Sequence, residues 1–253
     1  MAMKIVYGVY QFLGFHITDY LLRKGDKVIG IDPETENGSG EMKEFYVRNA
    51  NFKQLDSLKD LSLSDGKADV YMVLWNPGGM LVESLSFLEQ LKERKELETN
   101  ITIFSPLEIK EADIRSVRDV CTGHPSRKID KWIYISSMYG PWMPEDSCVY
   151  EHILKGEYDK LGEVKPIYIE DFLAKFEEIL RHPDTELAVW GEQMPARQAD
   201  SGEGESILFK PQFCIPEQTS IAEGSRILAE HKKKLRMIEY WNCLLYTSPS
   251  PRD

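Results

Sequence analysis

Cysteine is scarce in this chain. Four occur in 253 residues, at positions 121, 148, 214 and 243, with no CxxC pair and no spacing of a secreted disulfide framework. That excludes an oxidised mini-scaffold and makes a cytoplasmic setting the expectation. Long apolar runs are missing as well. None approaches the roughly 18 residues of a membrane span, and the chain starts on a strand-like run rather than a leader. Positive charge is in short supply: 31 Lys and Arg against 42 Asp and Glu leave a formal net charge of −11. Such a surface disfavours nucleic acid and anionic membranes, and the basic run at 232–234 reads as a solvated helix face. The five histidines, at 16, 124, 152, 182 and 231, have no metal-ligand spacing, so no metal site is expected. No internal repeat interrupts the chain.

What is present is concentrated in the first 32 residues, MAMKIVYGVYQFLGFHITDYLLRKGDKVIGID. Ile5 and Val6 make a short apolar strand that ends at Gly8. Gly14 opens an amphipathic helix with Ile17, Tyr20, Leu21 and Leu22 on one side, and Lys24-Gly25 ends it. Residues 27–31 make a second strand with Asp32 at its tip. Strand, glycine turn, helix, strand and acid is the opening of a dinucleotide-binding βαβ unit. The helix N-terminus there offers free N–H groups and a positive dipole end to a pyrophosphate.

This stretch resembles the opening of the extended short-chain dehydrogenase/reductases, the NAD-dependent epimerase/dehydratase group, which typically reads TGxxGFIGxHLxxxLLxxGxxVxGID. The matching residues are Gly8, Phe12, Leu13, Gly14, His16, Leu21, Leu22, Gly25, Val28, Gly30, Ile31 and Asp32. The resemblance implies an α/β fold: a Rossmann-like doubly wound parallel sheet with a substrate lobe. It implies cofactor contacts at Gly8, Gln11, Phe12, Leu13, Gly14, Asp32 and Asn49, the last where the family often has an Asp that meets the adenine. NAD is the implied cofactor in preference to NADP, because Asp32 can accept hydrogen bonds from both ribose hydroxyls and would repel a 2′-phosphate. Pro33 and Glu34 follow, with no Arg to offset that charge.

Two positions depart from the pattern. The family's leading Thr is Tyr7, and its middle glycine, which lets the backbone approach the pyrophosphate, is Gln11. Two readings stay open. Gln11 turns aside or bonds a phosphate and the unit still binds NAD, or the scaffold has lost the cofactor.

Further along, 33–42 is a polar loop, 43–47 is expected as the third strand, and Phe52, Leu55, Leu58 and Leu61 give a helical stripe. Residues 68–75, ADVYMVLW, read as a buried strand and match the family's ADVVIHLAA. A turn at 76–79 leads to a helix over 79–96 with Leu81, Leu85, Leu88 and Leu91 inward. A short strand is expected at 101–104, and a helix at 111–121 with Ile114, Val117, Val120 and Cys121 inward. Residues 132–136, WIYIS, form the next buried strand. Alternating strands and helices argue a parallel sheet covered on both faces.

The segment 131–141, KWIYISSMYGP, resembles the family's RFVYISSxxVYGP. In active members a Ser or Thr after this strand holds the substrate hydroxyl, and a Tyr with a Lys four residues later moves the proton, since an unassisted Tyr near pKa 10 is a poor base. Here the segment is two or three residues short, and no YxxxK follows it. Tyr150 and Lys155 are five apart, which places them roughly 140° apart around a helix. Ser137, Tyr139 and Tyr150 are the candidate catalytic residues, with Ser136 beside them, and the dyad does not carry over by motif.

Residues 164–191 resemble the family's VHVDDVAxAIxxALEHPxxxGEVFNIG, with Glu170-Asp171 in place of Asp-Asp, read as a helix cap. Phe172, Phe176, Ile179 and Leu180 supply the apolar stripe of that helix. About thirty residues separate Tyr139 from Ile169, far fewer than the family has, so the substrate lobe is reduced. Residues 198–205 read as a polar loop, and 209–216 as an extended segment. Thr219 or Ser220 caps a helix from 221 to about 241, with Ile227, Leu228, Leu235 and Ile238 apolar. Residues 243–253, CLLYTSPSPRD, resemble a translated sequencing adapter and are set aside as non-native; the natural frame is expected to run on past Asn242.

The sequence thus divides into a dinucleotide-binding region over 1–140, a shortened substrate and C-terminal region over 141–242, and the tail. The resemblance implies an NAD(P)-binding protein acting on a sugar nucleotide or small polyol as oxidoreductase or epimerase. The alternative is a non-catalytic Rossmann-fold binding or regulatory protein that has lost the Tyr/Lys dyad. A small-molecule substrate is the expected partner, and a homodimer is compatible with the sequence.

Overall fold

A computed structural model of the chain describes residues 2–32, 40–46, 48–61, 66–75, 77–94, 97–122, 129–147, 149–161, 165–192 and 211–247. The expected loop at 198–205 and most of that at 33–42 lie outside them. The chain opens with β1 (Met3–Tyr7), α1 (Phe12–Arg23) and β2 (Val28–Ile31), as the opening motif dictates. It continues through α2 (Gly40–Tyr46), β3 (Phe52–Leu55), β4 (Gly66–Val73), α3 (Pro77–Glu93), β5 (Leu97–Pro106), α4 (Glu111–Thr122) and β6 (Ile129–Ile135). After these come β7 (Met138–Tyr139), α5 (Tyr150–Lys155), β8 (Ile167–Tyr168), α6 (Ile169–Ala174), α7 (Phe176–Arg181), β9 (Glu186–Trp190), β10 (Gln212–Cys214) and α8 (Ile221–Thr247).

Eight strands form one sheet in the order β3-β2-β1-β4-β5-β6-β9-β10, and every pairing in it is parallel. This is a Rossmann-like α/β fold. Successive strand residues point to opposite faces, and both faces are buried. Val6, Val28, Tyr71, Val73, Phe104 and Ile133 pack on the side of α1, α6 and α7. Ile5, Ile29, Val70, Met72, Ile103 and Trp132 pack on the side of α3 and α4. Hence the strands read as continuous apolar runs rather than alternating ones. β9 and β10 come from residues beyond 140, yet they extend this same sheet; β7 and β8 form a separate parallel pair.

Two sequence expectations are corrected near β2. Residues 43–46 are helical, in α2, not a third strand. Their aromatic and apolar content suits a strand, but the burial has helical period: Met42 and Tyr46 are buried and Phe45 is exposed. The third strand is instead Phe52–Leu55, where a helical stripe was expected. A spacing of three puts Phe52 and Leu55 on opposite faces of a strand, and they join the two different core clusters. The same spacing then continues through a 3₁₀ turn at Leu58–Asp60, whose period is three.

Asp171 is also corrected. It does not cap its own helix, for α6 has Tyr168 at its N-cap and no side-chain cap bond. Its buried carboxylate reaches across to the chain before α8. It accepts the backbone N–H groups of Gln218 and Thr219 and the Thr219 hydroxyl, each at 3.0 Å. Ser220 caps α8, accepting the Glu223 N–H at 3.3 Å, and the helix runs to Thr247 rather than stopping near 241. Of its apolar residues Leu228 is buried, whereas Ile238 is 49% exposed. Gly224 of α8 sits against Tyr139, where a Cβ would come within 2.6 Å of the phenol oxygen. Among the described residues no helix is long and apolar enough to cross a membrane, and no His/Cys/Asp/Glu group has a metal-holding arrangement.

Candidate cofactor site at the sheet switch point

The strand order reverses between β1 and β4, so a crevice opens at the C-terminal ends of those two strands. In open parallel sheets that is where ligands bind. The turn from β1 to α1 stands at its mouth. Gly8 has φ 78°, which favours glycine. The Gly8 N–H donates to the Ile31 carbonyl at 2.8 Å, and its own carbonyl accepts the Gln11 N–H at 3.0 Å. Gly14, in the first turn of α1, lies so close to the turn that a Cβ there would be 1.9 Å from the Gly8 carbonyl oxygen. These are the first and third glycine roles of a dinucleotide fingerprint: a tight turn and close helix–strand packing. Phe12 and Leu13, the first two residues of α1, are buried.

Asp32 stands at the tip of β2, partly exposed. Its carboxylate accepts the Tyr10 N–H at 3.2 Å. Burial pushes its pKa up to about 6; the Tyr10 N–H and the charge of Lys43 pull it back only in part. Tyr10, which the sequence reading passed over, is buried. Its hydroxyl donates to Gln54 of β3 at 2.8 Å, so its ring spans the tip of β2. Asn49 is exposed in the turn before β3, where its side-chain oxygen accepts the Asn51 N–H at 3.0 Å. It precedes Phe52, which pairs with Val28 at the start of β2, so it stands at the other end of that strand from Asp32.

Gln11 stands where the family pattern has its middle glycine. Its backbone is the N-cap of α1, but its side chain makes no cap bond. The carboxamide instead crosses to the end of β4: Nε2 donates to the Val73 carbonyl at 3.3 Å, and Oε1 accepts the Trp75 N–H at 3.1 Å. Gly8, Gly14 and Asp32 therefore fit a dinucleotide, while the side chain of Gln11 as it stands lies where the middle glycine would leave space.

On the far side of the sheet's end, the candidate catalytic residues do not converge. The Ser137 carbonyl accepts the Ile167 N–H at 2.8 Å, joining β7 to β8. Among the described residues the buried Ser136 hydroxyl has no partner, and neither has that of Tyr139. Burial raises the Tyr139 phenol well above its ordinary range, with the charge of Asp171 acting in the same direction. Tyr150 donates to Glu145 at 3.1 Å, not to a serine, and burial raises its pKa despite a nearby ammonium. That ammonium is Lys232 of α8, 4.8 Å from the ring centroid, not Lys155, which is exposed and paired with Glu151. Sequence spacing had no means of finding Lys232, 82 positions from Tyr150. His16 holds the 139–143 segment to α1: its Nε2–H donates to the Pro141 carbonyl at 2.8 Å, and burial lowers its pKa to about 4.

No family model matches the chain, and no curated protein does. Solved structures do. The chain is similar to an NAD-dependent NDP-hexosamine 5,6-dehydratase involved in tunicamycin biosynthesis, at 14% identity and a TM-score of 0.57, over 92% of this chain and 98% of that one. It is similar to the dTDP-glucose 4,6-dehydratase of Bacillus anthracis in complex with NAD, at 10% identity and a TM-score of 0.59, over 92% and 97%. It is also similar to the UDP-glucose 4-epimerase of Thermotoga maritima with UDP-glucose, at 14% identity and a TM-score of 0.56, over 92% and 99%. At these identities the likeness establishes a fold shared with NAD-binding epimerases and dehydratases.

Proposed function

We propose that the chain is an NAD-binding protein of the epimerase/dehydratase type in which ordinary epimerase or dehydratase turnover is lost. The observation that carries this reading is the contrast between the two ends of the crevice. Gly8, Gly14 and Asp32 keep dinucleotide geometry at the β1/β4 switch point, while among the described residues the Tyr139 hydroxyl has no partner and Tyr150, with Lys232 beside its ring, donates to Glu145 rather than meeting a serine. The similar solved structures that carry NAD or a sugar nucleotide support the ligand class.

In this reading Asp32 receives the adenosine ribose hydroxyls and disfavours a 2′-phosphate. The N-terminus of α1 faces the pyrophosphate, and Gln11 must leave β4 for the pyrophosphate to settle. The bound nicotinamide would supply a hydride acceptor or donor. Ser136, Ser137 and Tyr139 line the sheet end beside it and hold no activated proton.

The test is a pair of measurements on one preparation. NADH should bind saturably and more tightly than NADPH, and turnover of UDP- and dTDP-hexoses with NAD should stay at background. Tighter NADPH binding would refute the cofactor assignment. Robust turnover abolished by Tyr150→Phe would refute the loss of chemistry.

A further inference from the structure

We propose that Gln11 is a built-in occupant of the dinucleotide crevice: its carboxamide bridges the glycine turn to the end of β4, and a dinucleotide enters by displacing it. The inference rests on the reading above, that this crevice takes NAD.

The carboxamide is used at both ends in the only sense its chemistry allows. The NH₂ group meets a carbonyl, Val73, and the oxygen meets an N–H, Trp75. Turning the amide over would set donor against donor and acceptor against acceptor. The bridge is therefore matched to the strand end. It lies against the turn as well, since a Cβ on Gly8 would be 2.5 Å from the Gln11 Nε2. A polar residue at an N-cap ordinarily bonds the first N–H groups of its helix, but Gln11 turns away and makes no such bond.

Beside it, Tyr10 does the same at the adenosine end. Its N–H occupies one lone pair of Asp32, and its hydroxyl reaches Gln54 across the tip of β2. The chain's own groups thus satisfy the strand end and the acid that a dinucleotide would otherwise engage. Binding must break the two Gln11 bonds, so affinity is held down without any change in the glycine turn.

The test compares the unaltered protein with Gln11→Ala and Gln11→Gly. The readouts are NADH affinity by calorimetry, amide hydrogen exchange over 73–75 without ligand, and thermal unfolding as a check on the fold. Two displaced bonds predict that both variants bind NADH at least about tenfold more tightly, and that the Trp75 amide exchanges faster in both. Equal affinity in all three proteins would overturn the inference and leave the NAD reading standing. A gain confined to the glycine variant would also overturn it, by making the Cβ rather than the carboxamide the obstacle. Absence of binding in all three, with the fold intact, would remove the inference and the NAD reading together.

Discussion

At the scale of single residues, Asp32 and Tyr139 are the two whose chemistry can be read from their surroundings. Asp32 titrates near 3.8 when exposed and at about 6 in the fold, chiefly because burial opposes its charge. The folded state holds that proton more tightly than the unfolded chain. Its contribution to stability is therefore full below the unfolded value and is lost as pH rises through about 6. Asp32→Asn keeps an acceptor for the Tyr10 N–H without the charge. It is expected to raise the unfolding free energy by about 1–2 kcal/mol at pH 7.5 and to have no effect below pH 4, measured by denaturant titration at both pH values. NADH affinity should move the other way, weakening as pH falls through about 6 because the protonated acid accepts the ribose hydroxyls poorly.

Tyr139 carries a buried hydroxyl, against Gly224, that has no partner among the described residues. Such a group costs about 1–3 kcal/mol where it is left unpaired. Tyr139→Phe should stabilise the protein by about 1 kcal/mol and leave NADH binding unchanged. A destabilised Tyr139→Phe would mean that the hydroxyl is engaged.

At the scale of elements, the Asp171 carboxylate ties α6 to the chain entering α8 through three bonds. Asp171→Ala strands two backbone N–H groups and a hydroxyl. It should cost about 2–4 kcal/mol of stability in chemical denaturation, with NADH affinity preserved. A loss of binding at unchanged stability would instead give Asp171 a place in the ligand site. How much of the fold was legible follows the same local logic. β1, α1 and β2 could be read because the glycine turn, the 3.6-residue period and Gly25 all agree on one answer. Residues 43–46 could not, because aromatic content pointed to a strand while Met42, just N-terminal to that run, set a helical face with Tyr46. The Phe52–Leu61 stripe misled because a strand with alternate faces, followed by a 3₁₀ turn, imitates one face of a helix. Asp171 was visible as a capping type, but its partners lie 47 and 48 positions away, and no local pattern contains them.

At the scale of the whole molecule, one parallel sheet carries the turn of Gly8, the strand end of Val73 and the tip of β2 to a single edge. The glycines and Asp32 of that edge were legible from spacing, because their roles are backbone roles set by the chain itself. The occupancy of the edge by Gln11 and Tyr10 was not, since it depends on where β3 and β4 lie in space. Past the C-terminal end of β6, α8 sets Gly224 on Tyr139 and Lys232 by Tyr150. In the proposed reading the cofactor half of the architecture is kept and the proton-transfer half is lost. Trp75, at the end of β4, gives that claim a local optical reporter. The most direct test is energy transfer from tryptophan to NADH in Gln11→Ala, alone and combined with Asp32→Ala. The account predicts saturable transfer in the first and its loss in the second. No saturable transfer in the first, or equal transfer in both, would contradict it.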